Sequence, residues 1–297
     1  MTVEFKPVEI QDREILEKFF KADPPEVSEL TFTNFFMWEH RYHPQWAQWE
    51  ETLLVIFCPD DSSPFGLPPV GTGNKSGSMD ILFNKLEKST SEAKICRASE
   101  SFVNNYADSG RYEWVEDRDN SDYVYSTRDL IELSGRKYHR KKNHLNRFLK
   151  NYQFEYSDLN LDLVECFINM QEKWCQMKEC VESPGLLAED YAIHKALTHY
   201  EDLEFTGGAI RLKGKIEAFS LGEKLNNDTA VIHIEKANPD IPGLYTAINQ
   251  LFCQNAWSEI DYINREQDLG IEGLRKAKQS YNPHHMVKKY TILRKNA

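Results

Sequence analysis

"TGGAIRLKGKIEAFSLGEKLNNDTAVIHIEKANPDIPGLYTAINQLFCQNAW", residues 206–257, is the stretch on which the fold turns. Three runs rich in apolar and β-branched residues, GGAIRLKG, KIEAFSLGEKL and DTAVIHIEKAN, are separated only by Lys-Gly and Asn-Asn-Asp. Both separators are good hairpin turns, so the runs read as three antiparallel strands. The third run meets PDIPG, which stops a strand, and then a helical stretch, LYTAINQLFCQNAW. Working outward, strand DYINREQD, helix EGLRKAKQSY and a strand pair around HHMVKKYTILR follow. Upstream stand strand FEYSD and two helices, LDLVECFINMQEKWCQMKE and AEDYAIHKALTHYEDL. In the first of these Leu163, Phe167, Met170, Trp174 and Met177 step by three and four, the period of a one-sided apolar stripe.

The first half repeats the mixture of elements without a repeat of sequence. Asp12 is a candidate N-cap for REILEKFFKA, Ser28 another for the aromatic helix SELTFTNFFMWEHRY, and WAQWEE and TLLVIFC read as strands. The loop PDDSSPFGLPPVGTGNKSGS invites a phosphate-binding reading, but GTGNKSGS does not match GxxxxGK[ST]. YEWVEDRDNSDYVYS reads as two strands joined by an acidic turn. At 297 residues the chain predicts two domains of about 150 residues each. No long uncharged apolar run reads as a membrane span, and the N-terminus lacks a basic region followed by an apolar one, so a cytoplasmic protein is expected. The six cysteines show no CxxC spacing and are expected to be buried free thiols.

The formal net charge is -11, which repels polyanions at long range, yet Arg136 to Lys150 holds seven Lys or Arg and two His without one acid. Tyr138, Leu145, Phe148 and Leu149 form a loose apolar stripe through this block, which makes it a basic amphipathic helix.

The segments LSGRKYHRKKNHLNRF, HIEKANPDIPGLYTAINQ and INREQDLGIEGLRKAKQSYNP resemble a bacterial family grouped with the C-terminal domain of phosphatidylglycerol lysyltransferases. That group is similar to the cell-wall peptidyltransferases that use aminoacyl-tRNA. The resemblance covers essentially the whole chain. It implies an α+β fold with mixed sheets, built as two tandem GNAT-like acyltransferase domains: 1–133, a degenerate copy, and 134–297, opened by the basic helix and carrying the site. It also implies transfer of an acyl or aminoacyl group from acyl-CoA or aminoacyl-tRNA to a small-molecule or lipid acceptor. No metal is expected, and the oligomeric state is left open.

In such a fold two parallel strands splay, here 229–237 and 261–268, and the donor arm lies in the gap. Lys236, Ala237, Asn238, Gly243, Leu244 and Tyr245 line that place. The helix entered at Gly243 would offer its N–H groups to donor phosphate, although the usual signature has several glycines. Strand alternation sets His233 and Glu235 on one face and Asn264, Glu266 and Asp268 on another. Glu235, Glu266 and Asp268 are therefore candidates for the base or for amine binding, against a purely structural ion pair. His233 reads more simply as a satisfied core histidine. Tyr281 stands where the resemblance puts a general acid, against an exposed tyrosine at a helix end. Arg275 and Lys278 share a helix face that could meet phosphate or merely water. Arg136, Lys137, Arg140, Lys141 and Lys142 are a docking patch for tRNA, donor phosphate or phospholipid, or else partners for acidic runs such as VEDRDNSD. The competing functional class is a non-catalytic tandem module that binds CoA, nucleotide or tRNA.

Overall fold

A computed structural model describes residues 3–295. Its strands are β1 (Lys6–Pro7), β2 (Gln45–Trp49), β3 (Thr52–Phe57), β4 (Phe65–Gly66), β5 (Val70–Gly71), β6 (Lys94–Ser99), β7 (Tyr112–Glu116), β8 (Asp122–Ser126), β9 (Glu155–Asp158), β10 (Thr206–Leu212), β11 (Lys215–Lys224), β12 (Thr229–Ala237), β13 (Tyr262–Asn264), β14 (His285–Val287) and β15 (Lys289–Arg294). Its helices are α1 (Arg13–Ala22), α2 (Phe32–Met37), α3 (Glu39–Tyr42), α4 (Lys75–Leu86), α5 (Glu100–Tyr106), α6 (Thr127–Glu132), α7 (His139–Asn151), α8 (Val164–Lys178), α9 (Pro184–Thr198), α10 (Leu244–Ala256) and α11 (Glu272–Gln279). None of these helices is long and apolar enough to cross a membrane. The chain forms two compact units. One takes the residues up to Asp122, Gln267–Gly270 and those from Met286 onward; the other takes Tyr123–Glu266 and Ile271–His285.

In the first unit the sheet runs β1-β2-β3-β4-β6-β15-β7, with β4 and β6 parallel and the other pairs antiparallel. Leu54, Ile56, Leu82, Phe83, Ile95 and Ile292 share one core cluster, which brings α4 against β3, β6 and β15. Each such side chain contributes roughly 1.5–3 kcal/mol by leaving water. The glycine-rich loop is a helix entry: the Asn74 side chain accepts the Gly77 N–H, and Lys75 pairs with Asp23 and donates to the Pro69 carbonyl. The aromatic helix starts later than Ser28, at Phe32, because Thr31 supplies the capping oxygen to Asn34 N–H. Ser28 instead donates to Asp122, beside a fully buried Lys289 whose ammonium lies 2.6 Å from Asp122 and 2.5 Å from Glu29.

In the second unit the strands run β8-β13-β12-β11-β10-β9. The β10–β11 turn is Lys213-Gly214, both at positive φ as a tight hairpin requires. α7 and α10 cover one face through Leu145, Phe148, Leu244, Ala247 and Ile248 against Ile210, Ala218 and Ala237. The neighbouring Phe219 points the opposite way and meets Phe167 of α8 at 5.1 Å between ring centroids.

Four expectations are corrected. The units do not divide at 133/134, because β8 is a strand of the second sheet, buried along most of its length between polar turns. For the same reason β7 and β8 are not a hairpin. Asp117 of their acidic link is held by Arg97 at 2.8 Å, and β7 pairs with β15 instead. Likewise β14 and β15 are no pair, since β15 inserts between β6 and β7. Finally, Cys175 and Cys180 form a disulfide, while Cys58, Cys96, Cys166 and Cys253 are free thiols.

Candidate functional site

The parallel pair β12–β13 holds register for only three residues: Thr229 with Tyr262, Ala230 with Ile263 and Val231 with Asn264. Beyond this β12 continues to Ala237, whereas β13 stops, because Glu266 takes φ +56° and its N–H turns back onto the Asn264 side chain at 2.8 Å. The chain stays bonded to β8 through Arg265 N–H to Tyr123 O, so the strands part. The expected strand 261–268 is thus short, and its alternation fails. Asp268 belongs to the first unit, where it is fully buried, accepts the Gly270 N–H and pairs with Arg118 at 3.3 Å.

Side chains fill the gap. Glu235 accepts from Arg265 at 2.8 Å and from Asn249 Nδ2 at 3.0 Å. The Arg265 guanidinium lies 4.7 Å from the Tyr281 ring centroid and 5.6 Å from that of Tyr125, and the Lys141 ammonium stands 3.6 Å from the Tyr281 centroid. These cation–π contacts hold four segments of the chain around one carboxylate. Burial, then the Arg265 charge, bring the Lys141 amine down to about 8. Burial raises the Tyr281 hydroxyl to about 12, with Arg265 only partly offsetting it. Two atoms of this cluster, Arg265 Nη1 and Asn249 Oδ1, have no hydrogen-bond partner among the described residues. An unmet buried donor and acceptor on either side of Glu235 form a place for a polar group from outside the chain.

A second wall stands along the end of β12. Lys236 pairs with Glu189 of α9 at 2.6 Å and sits 3.8 Å from the Trp174 ring centroid. Trp174 donates to Tyr245 Oη at 3.0 Å, and the Ala237 backbone reaches the same hydroxyl. The Glu235 charge is felt by Lys141, Tyr281 and Tyr245, so both walls face one centre. Asn238 is used locally, on Glu217 at 2.9 Å. Gly243 caps α10 at φ +88°, and a Cβ there would lie 2.3 Å from the His144 carbonyl, so its bareness lets α7 and α10 touch. Leu244 is core.

Glu266 is spent on His233, whose ring donates to Glu266 and Glu223, both at 2.8 Å. Burial alone would lower this imidazole, but the two carboxylates outweigh it and hold its pKa up to about 10. The satisfied-histidine reading is therefore the one that fits, as a charged strut across the splay. Lys278 is not a free cation: its ammonium donates to the Arg265 and Glu266 carbonyls that the splay releases. Arg275 is half-buried on α11. Nor is the basic block one patch. Lys137 pairs with Asp129 and Lys142 binds the Glu132 carbonyl, while Lys141 turns inward to Tyr281. Arg136 and Arg140 stay exposed and without an ion pair among the described residues. Tyr281 is buried rather than exposed at a helix end.

Sequence reading missed Arg265, Asn249, Trp174 and Glu189 and placed Lys141 on the wrong surface. An arginine inside YINRE was the available signal, masked by an alternation that points it away from Glu235.

The model of the phosphatidylglycerol lysyltransferase C-terminal family matches residues 22–293. The chain belongs to this family. As a family member it has the tandem GNAT-like acyltransferase fold. It is 32% identical to a conserved protein of unknown function from Bacteroides thetaiotaomicron, with 99% of this chain and 100% of that one covered and a TM-score of 0.91. The C-terminal domain of a putative lysylphosphatidylglycerol synthetase from Agrobacterium fabrum is similar at a TM-score of 0.68 and 14% identity, over 97% of this chain and 92% of that one. An uncharacterised protein of Mycoplasmoides gallisepticum is 25% identical over 192 residues, and this family member spans 61% of that relative's length, with 61% of its own covered.

Proposed function

We propose that this family member transfers an aminoacyl group from aminoacyl-tRNA to an amine or hydroxyl acceptor, with the chemistry at Lys141, Glu235, Arg265 and Tyr281. The observation that carries the reading is the largely enclosed Glu235–Arg265 pair in the splay, with Arg265 Nη1 and Asn249 Oδ1 left open beside it among the described residues. An aminoacyl ester offers what these atoms lack: a carbonyl oxygen for the Arg265 N–H, and an ammonium for Asn249 Oδ1 and Glu235. In the step itself the acceptor nitrogen or oxygen attacks the ester carbonyl carbon and gives up its proton to neutral Lys141. Arg265 Nη1 stabilises the oxyanion. The ester C–O bond breaks, and the leaving ribose oxygen takes a proton from Tyr281, which recovers one from Lys141.

Acyl-CoA is the second donor reading, because α10 begins beside the gap and its first N–H groups suit phosphate. Against it, Tyr245 already engages the Ala237 backbone that a CoA amide arm would need. A lipid acceptor is suggested by the name of the Agrobacterium relative, and a cytoplasmic setting by the donor. The test compares donors. Aminoacyl-tRNA should be retained saturably on filters, with log affinity falling steeply against log salt and less steeply in Arg136→Ala/Arg140→Ala. CoA and acetyl-CoA should leave the unfolding midpoint unchanged. A saturable rise with CoA, worth about 2.7 kcal/mol at 100 times its Kd, would overturn the donor assignment. Binding of either donor with no transfer to any acceptor would favour the non-catalytic module.

A further inference from the structure

The Cys175–Cys180 disulfide ties the last turn of α8 to the short helical turn Cys180–Glu182 that leads into α9. Besides it, local turn hydrogen bonds, Glu182 N–H to the Glu179 carbonyl and Ser183 N–H to the Cys180 carbonyl, both at 2.9 Å, shape the corner. Glu179 takes φ +52°, in the left-handed region, and the large apolar residues around it face water, Val181 being 84% exposed and Met177 42%. A segment with so little buried surface opens cheaply unless a covalent bond closes it. Yet Trp174, next to Cys175, is the residue that donates to Tyr245 and lies against the Lys236 ammonium, and α9 supplies Glu189 to the same lysine. One further tie, Gln171 to Asp190 at 3.0 Å, joins the two helices. The disulfide therefore closes the corner that carries one wall of the candidate site.

We propose that Cys175–Cys180 is a redox modification site whose thiol–disulfide state sets how firmly the α8–α9 corner holds Trp174 and Glu189 on Lys236 and Tyr245. The co-reactant is a dithiol. One of its thiolates attacks the half-buried Cys175 Sγ, the S–S bond breaks, and Cys180 leaves as a thiolate and takes a proton. The second thiol of the reagent then attacks the mixed disulfide, which frees Cys175 as a thiol and leaves the reagent as its own disulfide. Two electrons and two protons pass to the protein. Reduction removes the loop constraint and loosens the wall; oxidation by a disulfide reagent restores it.

The structural part stands without the proposed activity; its effect on turnover rests on that reading. The test is amide hydrogen exchange over 174–191 on the whole chain, oxidised and reduced by dithiothreitol, with alkylation and mass measurement of free cysteines. Four free thiols and slow exchange are expected when oxidised, and six with about tenfold or faster exchange in that segment when reduced. Cys175→Ser/Cys180→Ser should exchange like the reduced chain and ignore the reagent. Six thiols after air oxidation, or equal exchange in both states, would overturn the proposal. Aminoacyl transfer is read in parallel. A transfer rate that follows the exchange supports control of the site, equal rates in both states refute that control, and no transfer in either state counts against the proposed function while the exchange result still decides the switch.

Discussion

Lys141 is part-buried near Arg265, and an amine that loses water next to another cation gives up its proton more easily. With its pKa at about 8, a rate that depends on the neutral amine should rise with pH through about 8 and level off above it. Lys141→Met should lower transfer by about 10²–10⁴-fold and erase that limb, and Lys141→Arg, which stays charged, should not restore it; a pH–rate profile of the three proteins decides. His233 acts on stability instead. Its folded pKa of about 10 lies above the unfolded value near 6.5, so the stabilisation is complete below about 6.5 and is lost as pH rises through about 10. Lys141 has the opposite sign, but only above about 8, where its folded form has shed a proton that the unfolded chain keeps. Between pH 6.5 and 8, then, denaturant titrations should show the wild type losing stability and His233→Gln staying flatter. Glu235 and Glu266 could be singled out from the sequence because polar groups in a central strand demand partners, and Tyr281 only through the family resemblance. Which partner each one takes depended on a single left-handed residue, Glu266, and no period reports that.

At the scale of elements, the meander β10–β12 and the helices α8, α9 and α10 were legible because turn chemistry and apolar period agreed. β7, β8, β14 and β15 were not. Each is a good strand by composition, but strand pairing across more than 100 residues leaves no local trace, as with Ile292 beside Ile95. Gly243 is where sequence and packing meet most sharply. Gly243→Ala would force a Cβ within 2.3 Å of the His144 backbone carbonyl at φ +88°, so α7 and α10 must move apart. Gly214→Ala, at φ +79° with open space around it, carries only the backbone strain of about 1 kcal/mol. Thermal unfolding should therefore show a clearly larger drop for the former. Equal drops would mean that the α7–α10 contact adds nothing.

At the scale of the molecule, the first unit is assembled from three separate stretches, and Lys289 ties the last of them to the first by pairing with Glu29 and Asp122. Lys289→Met would leave Asp122 buried without its ammonium and Glu29 with Arg97 alone. It should destabilise by about 3–5 kcal/mol, read as a lower midpoint in urea, and Glu29→Gln in the same background should recover part of the loss. The tandem fold was open to sequence reading through its second half; the interleaving of its units was not, because β8 and β15 each leave the half of the chain in which they lie. The role of the splay in transfer is decided by single-turnover transfer of labelled aminoacyl groups from tRNA to amine and lipid acceptors, wild type against Arg265→Lys. Transfer by the wild type, reduced at least about 10²-fold in the variant with tRNA retention unchanged, is the expected result. Equal rates in the two proteins would mean that Arg265 has no part in transfer.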